Sequence, residues 1–68
     1  MNKGMLRSIM VLHGETNSNI ANLLGISEAS VSCKINEKNT EFKQGEIAKI
    51  RDHYNLTDKQ VADIFFVN

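Results

Sequence analysis

At 68 residues, the chain suffices for one domain, residues 1–68, which buries only about 60% of the surface its unfolded form exposes and has little core with which to wall a catalytic cleft. Eight basic and eight acidic side chains cancel to a formal charge of zero, so the basic excess typical of a strong polyanion binder is missing. A single cysteine excludes an internal disulfide and fits a cytoplasmic setting, and no apolar run approaches the ~20 residues that a membrane span needs.

The first element is a helix from about Lys3 to His13. Met5, Leu6, Ile9, Met10, Leu12 and His13 form a broad apolar stripe, and Gly14 closes it, because glycine adopts the left-handed conformation of a helix end without a Cβ penalty. Arg7 and Ser8 interrupt the apolar run and no small-residue cleavage pattern follows, so this segment reads as a helix rather than a secretory leader.

The next stretch carries most of the information. Ile20, Ala21 and Leu24 fall at i, i+1 and i+4, with Leu23 widening the stripe, which predicts a short second helix. Gly25 follows the last apolar residue directly and ends it. Ile26 plugs the corner, Ser27 is a good N-cap for a third helix, and Glu28 sits in its first turn, where a carboxylate suits the positive end of the helix dipole. In that helix, about Glu28 to Asn36, Val31 and Ile35 are one turn apart and face the core. At about 100° per residue the opposite face belongs to Ala29, Cys33 and Asn36, flanked by Ser30, Ser32 and Glu37. It is small and polar, as an element entering a DNA major groove requires, and Ala21 is small where two steeply crossing helices come closest.

A fourth helix, about Gln44 to Tyr54, buries Ile47, Ile50 and Tyr54 and turns at Asn55. A fifth starts at Thr57, with Gln60 completing a capping box, and buries Val61, Ile64 and Phe65. The expectation is an all-α bundle of five helices with no strand. The run Ile64-Phe-Phe-Val67 holds more apolar residues than one stripe can bury. Either Phe66 and Val67 pack on the first helix, the reading we favour, or they form a contact surface for a second subunit.

The segment Thr16 to Lys38 resembles the helix-turn-helix of the phage Cro and lysogeny-repressor class, the lambda-repressor-like or XRE regulators. Ala21, Gly25, Ile26, Ser27 and Val31 stand where that family places its alanine, glycine, hydrophobic corner, cap and buried branched residue. Ser32-Cys-Lys-Ile-Asn-Glu-Lys38 looks like its frequent "S-R-K-I-N-G-K" ending, and Phe42 to Asn55 and Leu56 to Phe66 look like its fourth and fifth helices. The resemblance implies a compact lambda-repressor-like domain with helices two and three as the motif. It also implies a sequence-specific transcriptional regulator that occupies operator DNA as a homodimer, the recognition helices one turn, about 34 Å, apart.

On that footing the helix from Glu28 to Asn36 enters the major groove. Glu28, Ala29, Ser32 and Cys33 are the candidate base contacts. Asn17, Ser18, Ser30, Lys34, Asn36, Lys38, Asn39 and Lys43 are the candidate phosphate contacts. Three positions depart from the family pattern. Asn17 replaces a glutamine but keeps an amide. Cys33 replaces an arginine or glutamine, which removes a bidentate base contact. Lys43 stands where a Ser or Thr cap is usual, which should weaken the start of the fourth helix by roughly 1 kcal/mol. Plainer roles exist for each: Glu28 as dipole compensation, Ala29 as a helix former, Ser32 as solvated surface, Cys33 as groove clearance rather than a redox sensor, and Lys34 and Lys38 as a solvated helix end.

His13 and His53 lack ligand spacing to Cys33, so neither metal nor cofactor is expected. No nucleophile–base pair, carboxylate pair or phosphate-cradling glycine loop appears, which argues against an enzyme or a small-molecule substrate. The alternative to DNA binding is a helical module of the same fold that binds another protein, such as a repressor's partner or an antitoxin's toxin. Zero net charge and the missing arginine or glutamine favour it; the complete motif and the small polar face favour DNA.

Overall fold

The computed structural model describes residues 1–67. Its elements are α1 (Lys3–Leu12), α2 (Asn17–Leu24), α3 (Glu28–Ile35), α4 (Gln44–Tyr54) and α5 (Asp58–Phe65). The protein is all-α, with no strand among the described residues. Local chemistry sets nearly every boundary. Asn2 Oδ1 accepts from the Met5 N–H at 3.1 Å and opens α1, and Gly14, at φ 66°, turns the chain after it. Asn19 Oδ1 takes the Thr16 N–H at 2.9 Å ahead of α2, which Gly25 ends in the left-handed conformation at φ 69°. Ser27 Oγ accepts from the Ser30 N–H and starts α3. Thr57 and Gln60 exchange hydrogen bonds in both directions at the start of α5, so two backbone donors that a helix start leaves free are satisfied reciprocally.

Each helix contributes one side chain with no exposed surface: Leu6, Ile20, Val31, Ile50 and Ile64. Full burial of such a side chain contributes about 1.5–3 kcal/mol. Around them pack Ile9, Met10, Ala21, Leu24, Ile35, Ile47, Tyr54 and Leu56. Phe42, in the connection before α4, closes the core edge-to-face on Phe65, with ring centroids 5.8 Å apart. α2 lies against both α3 and α4, and α5 against α1 and α4. The connection between α1 and α2 is tied to the end of α4 where His53 Nε2 meets Glu15 Oε1 at 2.9 Å. The Tyr54 hydroxyl beside it, first, and the His53 ring, second, hold the Glu15 carboxyl below the usual carboxylate range.

Three packing expectations are corrected. Leu12 and Val11 are 84% and 75% exposed, because Met10 makes the last core contact of α1 and the chain turns immediately, the Glu15 N–H bonding back to the Met10 carbonyl. His13 is also exposed, although its ring lies 4.9 Å from that of Tyr54. In α5 only Ile64 is buried, with Val61 and Phe65 half-covered. Phe66 and Val67 do not pack on α1 and remain 64% and 40% exposed. The two ends meet through backbone instead: the Asn2 N–H donates to the Ile64 carbonyl at 2.7 Å.

Candidate nucleic-acid interface

The orientation of α3 follows from its core residues. With Val31 and Ile35 fully covered, Glu28 and Ala29 are exposed and Ser30, Ser32, Cys33 and Asn36 half-exposed. Several polar groups already have partners. Ser27 Oγ donates to Ser30 Oγ at 3.0 Å. Asn36 Nδ2 donates to the Ser32 carbonyl at 3.0 Å, and Lys3 Nζ donates to Asn36 Oδ1 at 3.4 Å. The outward surface of α3 therefore consists mostly of small groups.

Two grooves flank this surface. On one side Ala29, Ser30 and Cys33 line an open groove of about 570 Å³ with Ile26, Thr40, Lys38 and Lys43. On the other, Asn17 and Glu28 share a depression of about 430 Å³ with Arg7, Glu15 and Thr16. Arg7, on α1, is the cation that the sequence pattern did not assign to the site; it lines the same depression as Asn17 and Glu28. Asn39 falls into a third, separate depression between Glu37 and Glu41, an acidic setting for a phosphate contact. Ser18 is half-exposed in the first turn of α2 and lines none of the three.

The connection that carries Lys38 is tightly wound. Glu37 and Asn39 both take positive φ, 55° and 59°, and the Lys38 N–H returns to the Cys33 carbonyl at 2.9 Å. Asparagine tolerates that conformation; for Glu37 it costs about 1–2 kcal/mol. Lys43 is the N-cap of α4 and supplies no side-chain cap, as its chemistry requires, but Glu46 Oε1 accepts the Lys43 N–H at 2.9 Å. One half of a capping box thus offsets the expected weakness.

Lys34 leaves the phosphate-contact set. It is only 7% exposed, its ammonium 3.1 Å from Glu46 Oε1 and donating to the Glu41 carbonyl at 3.2 Å. A phosphate contact needs a solvent-facing ammonium, and this one is enclosed between α3 and α4. The helical period held the signal, since residue 34 stands between the core positions 31 and 35 on the same side of α3. Burial opposes ionisation of Glu46, yet the Lys43 N–H and the Lys34 ammonium together hold its carboxyl below the usual range.

Residues 5–68 match the family described as "Protein of unknown function (DUF739)". The chain belongs to that family. No curated protein and no solved structure shows a significant match to it.

In this DUF739 member the zero net charge conceals a local imbalance. Lys34 and Glu46 neutralise one another, so the remaining charged side chains of the Ala29–Cys33 groove are Lys38 and Lys43, both exposed. Glu37 and Glu41 line the neighbouring depression, and both share a further cavity with Lys43. Among the described residues no three His, Cys, Asp or Glu side chains gather to hold a metal ion, and no helix is long and apolar enough to cross a membrane.

Proposed function

We propose that this protein is a sequence-specific DNA-binding regulator of the Cro or repressor kind, acting in the cytoplasm without enzymatic activity. In this reading α2 and α3 act as a helix-turn-helix and α3 enters the major groove. The observation that carries it is the pairing of a small-residue surface, Ala29 and Cys33, with two exposed cations, Lys38 and Lys43, on one groove. Small side chains permit close approach to base edges, and the lysines neutralise backbone phosphates. With Lys34 paired and the Asn36 amide engaged, neither a cation for guanine nor an amide for adenine is free on α3 or at its C-cap. Base readout then falls to Glu28, accepting from a cytosine N4, to Ala29 and Cys33 against thymine methyl groups, and to the Ser32 hydroxyl. Asn17, Ser18, Ser30 and Lys43 meet phosphates beside Lys38, with Asn36 and Asn39 secondary because of their existing partners and acidic neighbours.

Two exposed lysines per chain give weak binding, so operator occupancy needs a second copy. Exposed Phe66 and Val67 supply an apolar surface for that homodimer. The same surface supports the second reading, a module that binds a different protein.

Binding-site selection from a random duplex pool, at low and at physiological salt, tests the proposal. Enrichment of a two-fold-symmetric site is expected; salt-sensitive binding without enrichment, or none, transfers the assignment to a protein partner. In the selected site, Ser32→Glu should abolish specific binding with the fold intact. Lys38→Ala should weaken binding to all sequences alike and lower the salt slope by about one unit.

A further inference from the structure

We infer that Lys34 and Glu46 are positioning residues for DNA recognition: without touching DNA, they fix α3 against the start of α4. This rests on the DNA-binding reading above. α3 packs chiefly on α2, and its packing on α4 is slight. The connection between them and this ion pair supply its polar ties to α4. Glu46 Oε1 is the common atom. It accepts from the Lys43 N–H at 2.9 Å and lies 3.1 Å from the Lys34 ammonium. The same ammonium donates to the Glu41 carbonyl at 3.2 Å. One carboxylate oxygen and one ammonium thereby join the recognition helix, the connection after it and the N-cap of α4.

The consequence lies in what those three segments carry. Ala29 and Cys33 ride on α3, Lys38 on the connection and Lys43 on the cap, and all four line one groove. Releasing the junction lets the base-reading surface and the lysines move independently. Phosphate contacts position a protein and base contacts specify the sequence, so loss of their fixed relation removes discrimination before it removes nonspecific affinity. A buried pair also specifies one arrangement: either partner left alone is a charge without compensation, which favours rearrangement toward solvent.

The test compares wild type, Lys34→Met, Lys34→Arg, Glu46→Gln and the Lys34→Met/Glu46→Gln double variant. It measures affinity for the selected site and for random duplex across a salt series, below every variant's melting temperature. The two-dimensional amide NMR spectrum of each free protein is recorded beside it. The proposal expects Lys34→Met and Glu46→Gln each to lower the specific-to-random ratio about tenfold with the salt slope unchanged, since no phosphate contact is lost. The double variant should lose no more than either single one, and Lys34→Arg should retain the ratio. Amides of Ser30–Ile35 and of Glu41–Lys43 should shift together in Glu46→Gln. A slope reduced by about one unit in Lys34→Met, with the ratio unchanged, would make Lys34 a phosphate ligand and overturn the proposal. A lower melting temperature with ratio and slope both unchanged would reduce the pair to ordinary stabilisation and overturn it too. If wild type binds no DNA, the DNA reading falls and the recognition role with it; coupled amide shifts would then show the junction to be real and the function wrong.

Discussion

The α2–α3 corner and the α4–α5 corner are built from the same local devices and leave opposite surfaces exposed. Each joins two helices through a left-handed residue, Gly25 in one and Asn55 in the other, and each restarts with a hydroxyl cap, Ser27 and Thr57. Beyond α2–α3 the solvent meets small side chains with lysines at the rim. Beyond α4–α5 it meets Phe66 and Val67. Local turn chemistry therefore says where helices begin and end but nothing about what the finished corner presents. That is decided by which residues the core has room for, and under the proposed function the first surface is the one offered to a polyanion and the second the one offered to an apolar protein surface.

Removing the core anchor of the first corner should break this comparison most severely. Ile35→Ala, at a fully buried position of α3, is expected to cost about 2–5 kcal/mol in urea unfolding and to release α3 from α2. Gly25→Ala should cost about 1–2 kcal/mol in the same assay. A Cβ there meets no atom within 4 Å, so the loss reports the left-handed backbone alone; a change near zero would show that the corner relaxes out of that conformation. At the second corner, Phe66→Ser should alter stability by less than about 0.5 kcal/mol, because the ring is already solvated. It should nevertheless reduce self-association in sedimentation, and unchanged association would move the dimer contact elsewhere.

A smaller effect separates the junctions by pH. The carboxyls of Glu46 and Glu15 both lie below their ordinary value of 4.5 in the folded protein. A carboxyl depressed on folding contributes stability that is fully present above its unfolded value and lost as pH falls through the folded one. Stability should therefore decline below about pH 4.5. In Glu46→Gln that acid-side slope should be shallower than in wild type, with lower stability near neutral pH. An unchanged slope would assign the acid sensitivity to Glu15 and its His53 contact.

Sequence reading reached the five helices and their boundaries to within a residue or two, and the reasons are visible residue by residue. Gly25, Ser27, Asn55 and the Thr57–Gln60 box act through atoms at most four positions away, so the sequence contains all their partners. The reading failed where the partner is distant. Leu12 belongs to the α1 stripe by period, but nothing packs over the last turn of that helix. Lys34 is a cation near a helix end, which suggests solvent, until α4 brings Glu46 over it. Arg7 lines a depression with Asn17 and Glu28, residues 10 and 21 positions away, which no local pattern indicates.

By itself, then, the sequence determined the helix inventory, the Ser27 and Thr57 caps, the turns at Gly14, Gly25 and Asn55, and the six fully buried residues Leu6, Ile20, Val31, Ile35, Ile50 and Ile64. These depend on short-range sterics and on the helical period. Only the tertiary structure decided which lysines face solvent, which carboxylates share their depressions, and that Phe66 and Val67 stay outside the core. Charge placement and residual exposure depend on distances between helices, and those distances are set by packing rather than by any segment of the chain.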